Sequence, residues 1–167
     1  MNTSALVRLP SQPQSKKNLG DTYLKFQLGQ QTPAVLSMRQ AQEVVVLPHG
    51  RLTPMPNMPA HVMGLMNRRS RVLWVVDLAR MLSLPFPETN VQHYDVVIIR
   101  SESASVGVIV QAVEGVVRLA PSDIQPPIGQ VSAGLVPYLR GCVLSKEEIL
   151  LVLDAEAITR SPLLHNA

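Results

Sequence analysis

Short stretches of apolar residues, some alternating with polar residues and some almost wholly apolar, follow one another along the chain from residue 20 onward and are punctuated by glycine and proline. In residues 23–28, the apolar side chains of Leu24, Phe26 and Leu28 alternate with more polar neighbours, which is the period of a half-buried β-strand. Further extended segments are predicted at 34–38, 43–47, 72–76, 94–100 and 149–153, and residues 106–119 are long enough for two strands or one bent strand. The pattern therefore predicts a mostly β fold.

Helical signals are few and short. Pro54, Pro56 and Pro59 exclude a central strand or a helix interior, and a short helix is predicted after them at about 60–66. Asp77 and Asp154 each stand directly after an apolar strand, where they are suited to cap the helices predicted at 78–82 and 155–160. Residues 72–79 thus resemble residues 149–156, an internal similarity that two related β-lobes would produce.

The domain organisation follows from composition. Residues 1–20 are polar, contain two prolines and hold too little apolar surface to offset the entropy of ordering, so we predict a flexible tail. Residues 21–163 are predicted to form one domain of two intertwined β-lobes, roughly 21–90 and 91–163. No ten-residue helical pattern lies between the strands, which excludes a doubly wound α/β fold and favours small barrels.

The net charge of +3 lies in the tail. Arg8, Lys16 and Lys17 are the only charged residues before Asp21; without these three, twelve basic residues face twelve acidic ones. The one dense basic cluster is formed by Arg68, Arg69 and Arg71. Aromatic residues make up only 4%, whereas binders of single-stranded nucleic acid stack bases on aromatic platforms. A small β-barrel nucleic-acid-binding protein therefore remains only as a distant alternative.

The chain carries no motif for catalysis or metal binding. Its four histidines (49, 61, 93 and 165) have no ligand spacing, its single cysteine is Cys142, and no nucleophile elbow or phosphate loop is present. We predict no catalytic, metal-binding or cofactor-binding residue; an enzyme whose groups converge only in the fold is the remaining alternative. A lone cysteine fits a reducing compartment, and the sequence shows no signal peptide or membrane span, so the cytoplasm is expected.

Residues 64–78, Gly-Leu-Met-Asn-Arg-Arg-Ser-Arg-Val-Leu-Trp-Val-Val-Asp-Leu, resemble the signature of the CheW family, which reads roughly Gly-apolar-apolar-Asn-x-Arg-Gly, a few residues, then Val-Ile-Asp-Leu. Segments 26–29, 36–43, 54–59, 107–113, 138–141 and 151–154 resemble further blocks of the family, in the same order. The resemblance runs from about residue 23 to residue 160. Ser70, Trp74 and Gln111 depart from it, standing where glycine, proline and aspartate are usual.

The resemblance implies two SH3-like five-stranded β-barrel lobes with short helices around a shared apolar core. It implies a non-enzymatic adaptor, without cofactor, that couples chemoreceptors to a CheA-type histidine kinase in chemotaxis. The expected partners are the kinase's regulatory domain and the cytoplasmic tip of a methyl-accepting chemoreceptor, with no nucleic acid and with membrane contact only through receptors. The expected location is the cytoplasm at receptor arrays. A CheW-like adaptor of pilus-based twitching or of phototaxis is the alternative that the residues do not separate from it.

The resemblance also implies the site residues. Arg69 and Glu43 match a charged pair of the family, and we predict that they lie within salt-bridge reach in the first lobe, at the edge of the receptor groove. For Arg68 and Arg71, a solvated turn is the preferred interpretation. The other positions that match partner-binding places are Ala41, Gly64, Asn67, Val96, Val97 and Gly107. For the apolar positions among them, core packing is the preferred interpretation.

Overall fold

The computed structural model describes residues 20–85, 92–102, 104–127 and 131–165, which form ten β-strands, three short α-helices and three single 3₁₀ turns. The predicted tail, residues 1–19, lies outside the described residues. The strands are β1 (Asp21–Leu28), β2 (Thr32–Ser37), β3 (Ala41–Pro48), β4 (Val62–Arg68), β5 (Arg71–Asp77), β6 (His93–Arg100), β7 (Ser105–Val110), β8 (Ala112–Leu119), β9 (Leu139–Ser145) and β10 (Glu148–Leu153). The helices are α1 (Leu78–Met81), α2 (Ala155–Thr159) and α3 (Pro162–His165).

The strands form two five-stranded sheets, as expected for two lobes. The central lobe has the order β3-β6-β7-β5-β4, and the composite lobe has the order β8-β1-β2-β10-β9. Each sheet is antiparallel apart from one parallel pair, β5 with β7 and β10 with β2. The mostly β fold class is confirmed.

This topology corrects the expected division of the chain at about residue 90. The five strands of the central lobe, β3 to β7, are consecutive in the chain, while the N-terminal hairpin β1–β2 joins β8, β9 and β10 in the composite lobe. Backbone pairing between residues far apart in sequence causes the difference, since β1 pairs with β8 and β2 with β10. Sequence halves therefore do not correspond to lobes.

The predicted helix at about 60–66 is wrong, because these residues lead into and form strand β4. The strand pairs with β5 in a hairpin, and Leu65 also pairs with Thr53, which precedes the strand. Gly64 has a φ of +141°, and a Cβ there would lie 2.2 Å from the carbonyl oxygen of Thr53. Only glycine allows this approach of two backbones.

The similarity between residues 72–79 and 149–156 corresponds to equivalent structure. The side chains of Asp77 and Asp154 accept hydrogen bonds from the backbone N–H groups of Arg80 and Ala157, which caps α1 and α2. β5 and β10 also occupy equivalent places, each between an edge strand of its own hairpin and a parallel neighbour. The capped helices were thus predicted correctly.

Buried apolar side chains form three clusters. The largest lies between the lobes and receives side chains from both sheets and from α1 and α2, including Phe26, Leu36, Val76, Leu78 and Ile158, each 0% exposed. Smaller clusters fill the inside of each lobe. Because both lobes bury side chains in one shared core, they form a single folding unit.

Candidate partner-binding site

The turn between β4 and β5 aims charged side chains outward from the central lobe. Arg68 and Arg71 face each other across the hairpin, and the two residues between them, Arg69 and Ser70, have φ values of +53° and +66°. Two positive φ values define a type I′ turn, which matches the twist of the flanking strands but favours glycine or asparagine. The turn holds Arg69 at the tip, where 76% of its side chain is exposed.

Glu43 on β3 binds two arginines of this turn. Arg68 donates from Nε to Glu43 Oε2 at 3.0 Å and makes a second, shorter bond from Nη2, while Arg69 Nη2 lies 3.4 Å from the same oxygen. The predicted contact between Arg69 and Glu43 is confirmed. The interpretation of Arg68 as a solvated turn cation is wrong. Arg68 is the last residue of β4, where it pairs with Arg71 of β5, and its side chain reaches Glu43 on β3.

The ion pair joins two edges of one sheet. β3 and β4 stand at opposite ends of the strand order, so contact between Glu43 and Arg68 requires the sheet to curl until its edges approach. The hydrogen bonds between Thr53 and Leu65, at 2.8 and 2.9 Å, connect the continuation of β3 to β4 as well. The hydrogen bond from Arg68, together with the charges of both arginines, lowers the pKa of Glu43 below its ordinary value.

The apolar residues proposed for partner contact lie in the interior. Ala41 is 3% exposed, Val96 and Val97 are 0% exposed, and Gly64 and Gly107 are buried. Successive strand residues face opposite sides of a sheet, so Val96 packs inside the central lobe and Val97 between the lobes. Their positions are those expected of core packing, and a role in partner contact stays a prediction.

Asn67 lies outside this interior. It is exposed on β4 and stands opposite Val72, whose side chain is 65% exposed. Trp74, two residues further along β5, is 39% exposed and faces Leu65. The β4–β5 hairpin therefore shows solvent a partly apolar face next to its arginine tip.

The composite lobe carries a charged cluster in which the roles of acid and base are reversed relative to the Glu43 cluster. Lys25 on β1 lies 2.6 Å from Glu148 and 3.6 Å from Glu114, on β10 and β8. The hydrogen bond to Glu148 raises the pKa of Lys25. Here two acidic side chains surround one cation, whereas in the central lobe two cations surround Glu43. The sequence did not reveal this cluster, because its residues come from three distant segments.

The described residues offer no centre for metal chemistry: among them, no three His, Cys, Asp or Glu side chains come together as a metal site requires. Cys142 is buried, with Sγ 3.6 Å from the carbonyl oxygen of Pro126. Asp77, whose pKa burial raises, is used as a helix cap. Within the described part of the chain, no helix has both the length and the apolar composition needed to cross a bilayer.

Comparison with known proteins gives consistent matches. The model of the CheW-like domain family matches residues 22–163. The chemotaxis protein CheW of Rhizobium meliloti (strain 1021) is 29% identical over 106 residues, which cover 64% of this chain and 68% of that protein. The chemotaxis protein CheW of Treponema pallidum (strain Nichols) is 28% identical over 142 residues, covering 81% of this chain and 80% of that protein.

A solved structure shows the same fold. The crystal structure of the scaffolding protein TtCheW from Thermoanaerobacter tengcongensis matches with a TM-score of 0.70 at 19% identity, over 81% of this chain and 89% of that one. The family model spans nearly all residues from β1 to α3. This chain belongs to the CheW-like domain family.

Proposed function

We propose that this chain is a non-enzymatic adaptor that couples chemoreceptors to a CheA-type histidine kinase in chemotaxis signalling. The observation that carries the proposal is the Glu43–Arg68–Arg69 cluster, because it sets an exposed guanidinium at a fixed position on a member of the CheW-like family. The proposed partners are the regulatory domain of the kinase and the cytoplasmic tip of a receptor. The proposed location is the cytoplasmic face of a receptor array.

An adaptor acts by holding two partners at once, so it needs two surfaces that are not interchangeable. Charged groups at the rim of an interface suppress wrong partners and fix orientation. The central lobe offers arginines around Glu43, and the composite lobe offers glutamates around Lys25. A partner that complements one cluster would be repelled by the other, and this difference supports distinct binding surfaces on the two lobes.

The shared core gives the proposal its mechanical basis. Side chains of both sheets pack in one cluster between the lobes, and close-packed interiors transmit displacement because they are hard to compress. In the proposed mechanism, movement of the receptor tip against one lobe is therefore passed to a kinase domain held by the other. No bond is made or broken in this chain.

The test is a pair of binding titrations, against the kinase regulatory domain and against a receptor-tip fragment from the same genome. Wild type is compared with Arg69→Ala and with the matched control Arg51→Ala, which removes an exposed arginine in the 3₁₀ turn that follows β3. Wild type should bind the kinase domain saturably, at micromolar concentration or tighter. Arg69→Ala should keep that affinity and lose up to about fivefold for the receptor, since an exposed ion pair contributes up to about 1 kcal/mol.

Each outcome has a definite meaning. Equal receptor binding by wild type and Arg69→Ala would remove Arg69 from the receptor surface. Absence of wild-type binding to every CheA-type kinase in the genome would leave the family membership intact and refute the adaptor function.

A further inference from the structure

The topology of the central lobe gathers four arginines at one of its ends. β4 and β6 finish at this end with Arg68 and Arg100, and β5 begins there with Arg71, directly after the turn that contains Arg69. Arg100 pairs with Ser105, the first residue of β7, so the ends of these strands are aligned. Only three of the four arginines are neighbours in sequence; Arg100 joins them through strand pairing.

Two of these arginines face a groove, and within the described part of the chain no carboxylate forms an ion pair with either of them. Arg71 and Arg100 line a groove of about 460 Å³, together with Val72, Leu73 and residues 101, 102, 104 and 105. Both arginines are exposed. Unlike Arg68 and Arg69, which bind Glu43, neither guanidinium has a hydrogen-bond or ion-pair partner among the described residues. Of the described residues that line the groove, Glu102 is the one with an acidic side chain.

The lining favours a protein ligand over a nucleic acid. Val72 is 65% exposed and Leu73 lies beside it, so the groove has an apolar wall next to its cations. Among the described residues, no aromatic side chain lines it, and single-stranded nucleic acids bind proteins chiefly by stacking bases on aromatic rings. Guanidinium groups match carboxylates because their parallel N–H groups bind both oxygens.

We propose that this groove binds carboxylate side chains of an acidic segment in a protein partner, with an adjacent apolar side chain of that segment resting on Val72. The inference depends on the proposed adaptor function, which brings a protein against the central lobe, and it adds a contact beyond the Glu43–Arg69 pair. Arg71 and Arg100 set the charge that the groove selects.

The experiment compares wild type with the double variant Arg71→Gln/Arg100→Gln in titrations against the kinase regulatory domain and the receptor-tip fragment, at low and high salt. Arg39→Gln/Arg51→Gln is the control, since it removes two exposed arginines outside the groove. We expect the groove variant to bind one of the two partners at least about tenfold more weakly at low salt, with a shallower dependence on salt. The control should bind that partner as wild type does. Thermal unfolding should be nearly the same for wild type and the groove variant, because neither side chain has a partner to lose among the residues that the structure describes.

Three results would overturn the inference. One is unchanged affinity of the groove variant for a partner that wild type binds, which would leave the adaptor function standing. Another is an equal loss in the Arg39/Arg51 control, which would indicate net charge rather than this groove. The third is preferential loss of binding to single-stranded DNA, which would assign the groove to another class of ligand. If wild type binds neither protein, the adaptor function fails and the inference fails with it.

Discussion

Gly107 is one of the positions that the family resemblance matches to partner contact, and a substitution there can test whether its role is core packing. A methyl group added at Gly107 would lie 2.9 Å from Val96 Cγ1, 3.5 Å from Met66 Sδ and 3.6 Å from Val75 Cγ2. Carbon atoms prefer separations of about 3.5–4.0 Å, so Val96 must move by more than half an ångström. Val96 is 0% exposed, and its branched side chain has little freedom at χ1.

The expected size of the effect follows from two opposing contributions. Overpacking of a dense core destabilises by about 1–3 kcal/mol, while replacing glycine in a strand recovers about 0.5–1 kcal/mol of backbone entropy. Gly107→Ala should therefore lower the free energy of unfolding by about 1–2 kcal/mol. For a domain of this size, the melting temperature should fall by about 3–8 °C.

A double-mutant cycle with Val96→Ala isolates the contact. Val96→Ala alone should destabilise by about 2–3 kcal/mol through lost burial and a cavity. The methyl of Gly107→Ala would fill part of that cavity, so the double variant should be at least as stable as Val96→Ala, with a coupling of about 1–2 kcal/mol. Urea unfolding followed by circular dichroism measures all four proteins. Additive effects would refute the packing explanation, as would a Gly107→Ala variant that unfolds like wild type.

Three further predictions concern the backbone and the caps. Ser70→Gly should stabilise by about 0.5–1 kcal/mol, because φ is +66° there; an unchanged urea midpoint would contradict this. Gly64→Ala should cost at least about 3 kcal/mol or prevent folding, because its Cβ would meet the Thr53 carbonyl. The control Gly50→Ala, with open space around it, should change stability by less than about 0.5 kcal/mol. Equal melting temperatures of the two variants would refute the prediction for Gly64. Burial raises the pKa of Asp77 above 3.8, so the folded state binds this proton more tightly than the unfolded state does. As pH rises from the unfolded pKa through the higher folded pKa, wild type should therefore lose stability relative to Asp77→Asn. Asparagine still caps the helix, and identical pH profiles in urea unfolding would exclude the effect.

Features that depend on neighbouring residues were predictable from sequence. Alternation located β1, and the order strand, aspartate, helix located both capped helices, because capping joins groups three residues apart. Strand β4 was missed since its structure depends on the close approach of Gly64 to Thr53, which comes from a separate segment. Proline spacing before β4 carried no information about that contact.

The arginines show the same limit within the candidate site. The resemblance led to Arg69 and Glu43, but Arg68 makes the closer contact with Glu43 because of its place at the end of β4. The sequence does not indicate that Arg100 lies near the arginine triplet, because only the pairing of β6 with β7 brings it to that end of the lobe. The number of these charges follows directly from the sequence. Their grouping depends on the register of paired strands, which the pattern of a single sequence does not reveal.

The two lobes share one plan that is permuted in the chain. The central lobe runs β3-β4-β5-β6-β7, and the composite lobe has the equivalent strands in the order β8-β9-β10 followed by the N-terminal hairpin β1–β2. In each lobe, the hairpin before the capped helix lies next to a charged cluster: Arg68 and Arg69 hold Glu43 in one, and Glu148 holds Lys25 in the other. Related backbones with inverted charge give two surfaces of similar shape and opposite electrostatic preference. Because two lobes with related backbones would not separate two partners by shape alone, the inversion of charge is what would assign each proposed partner to its own lobe.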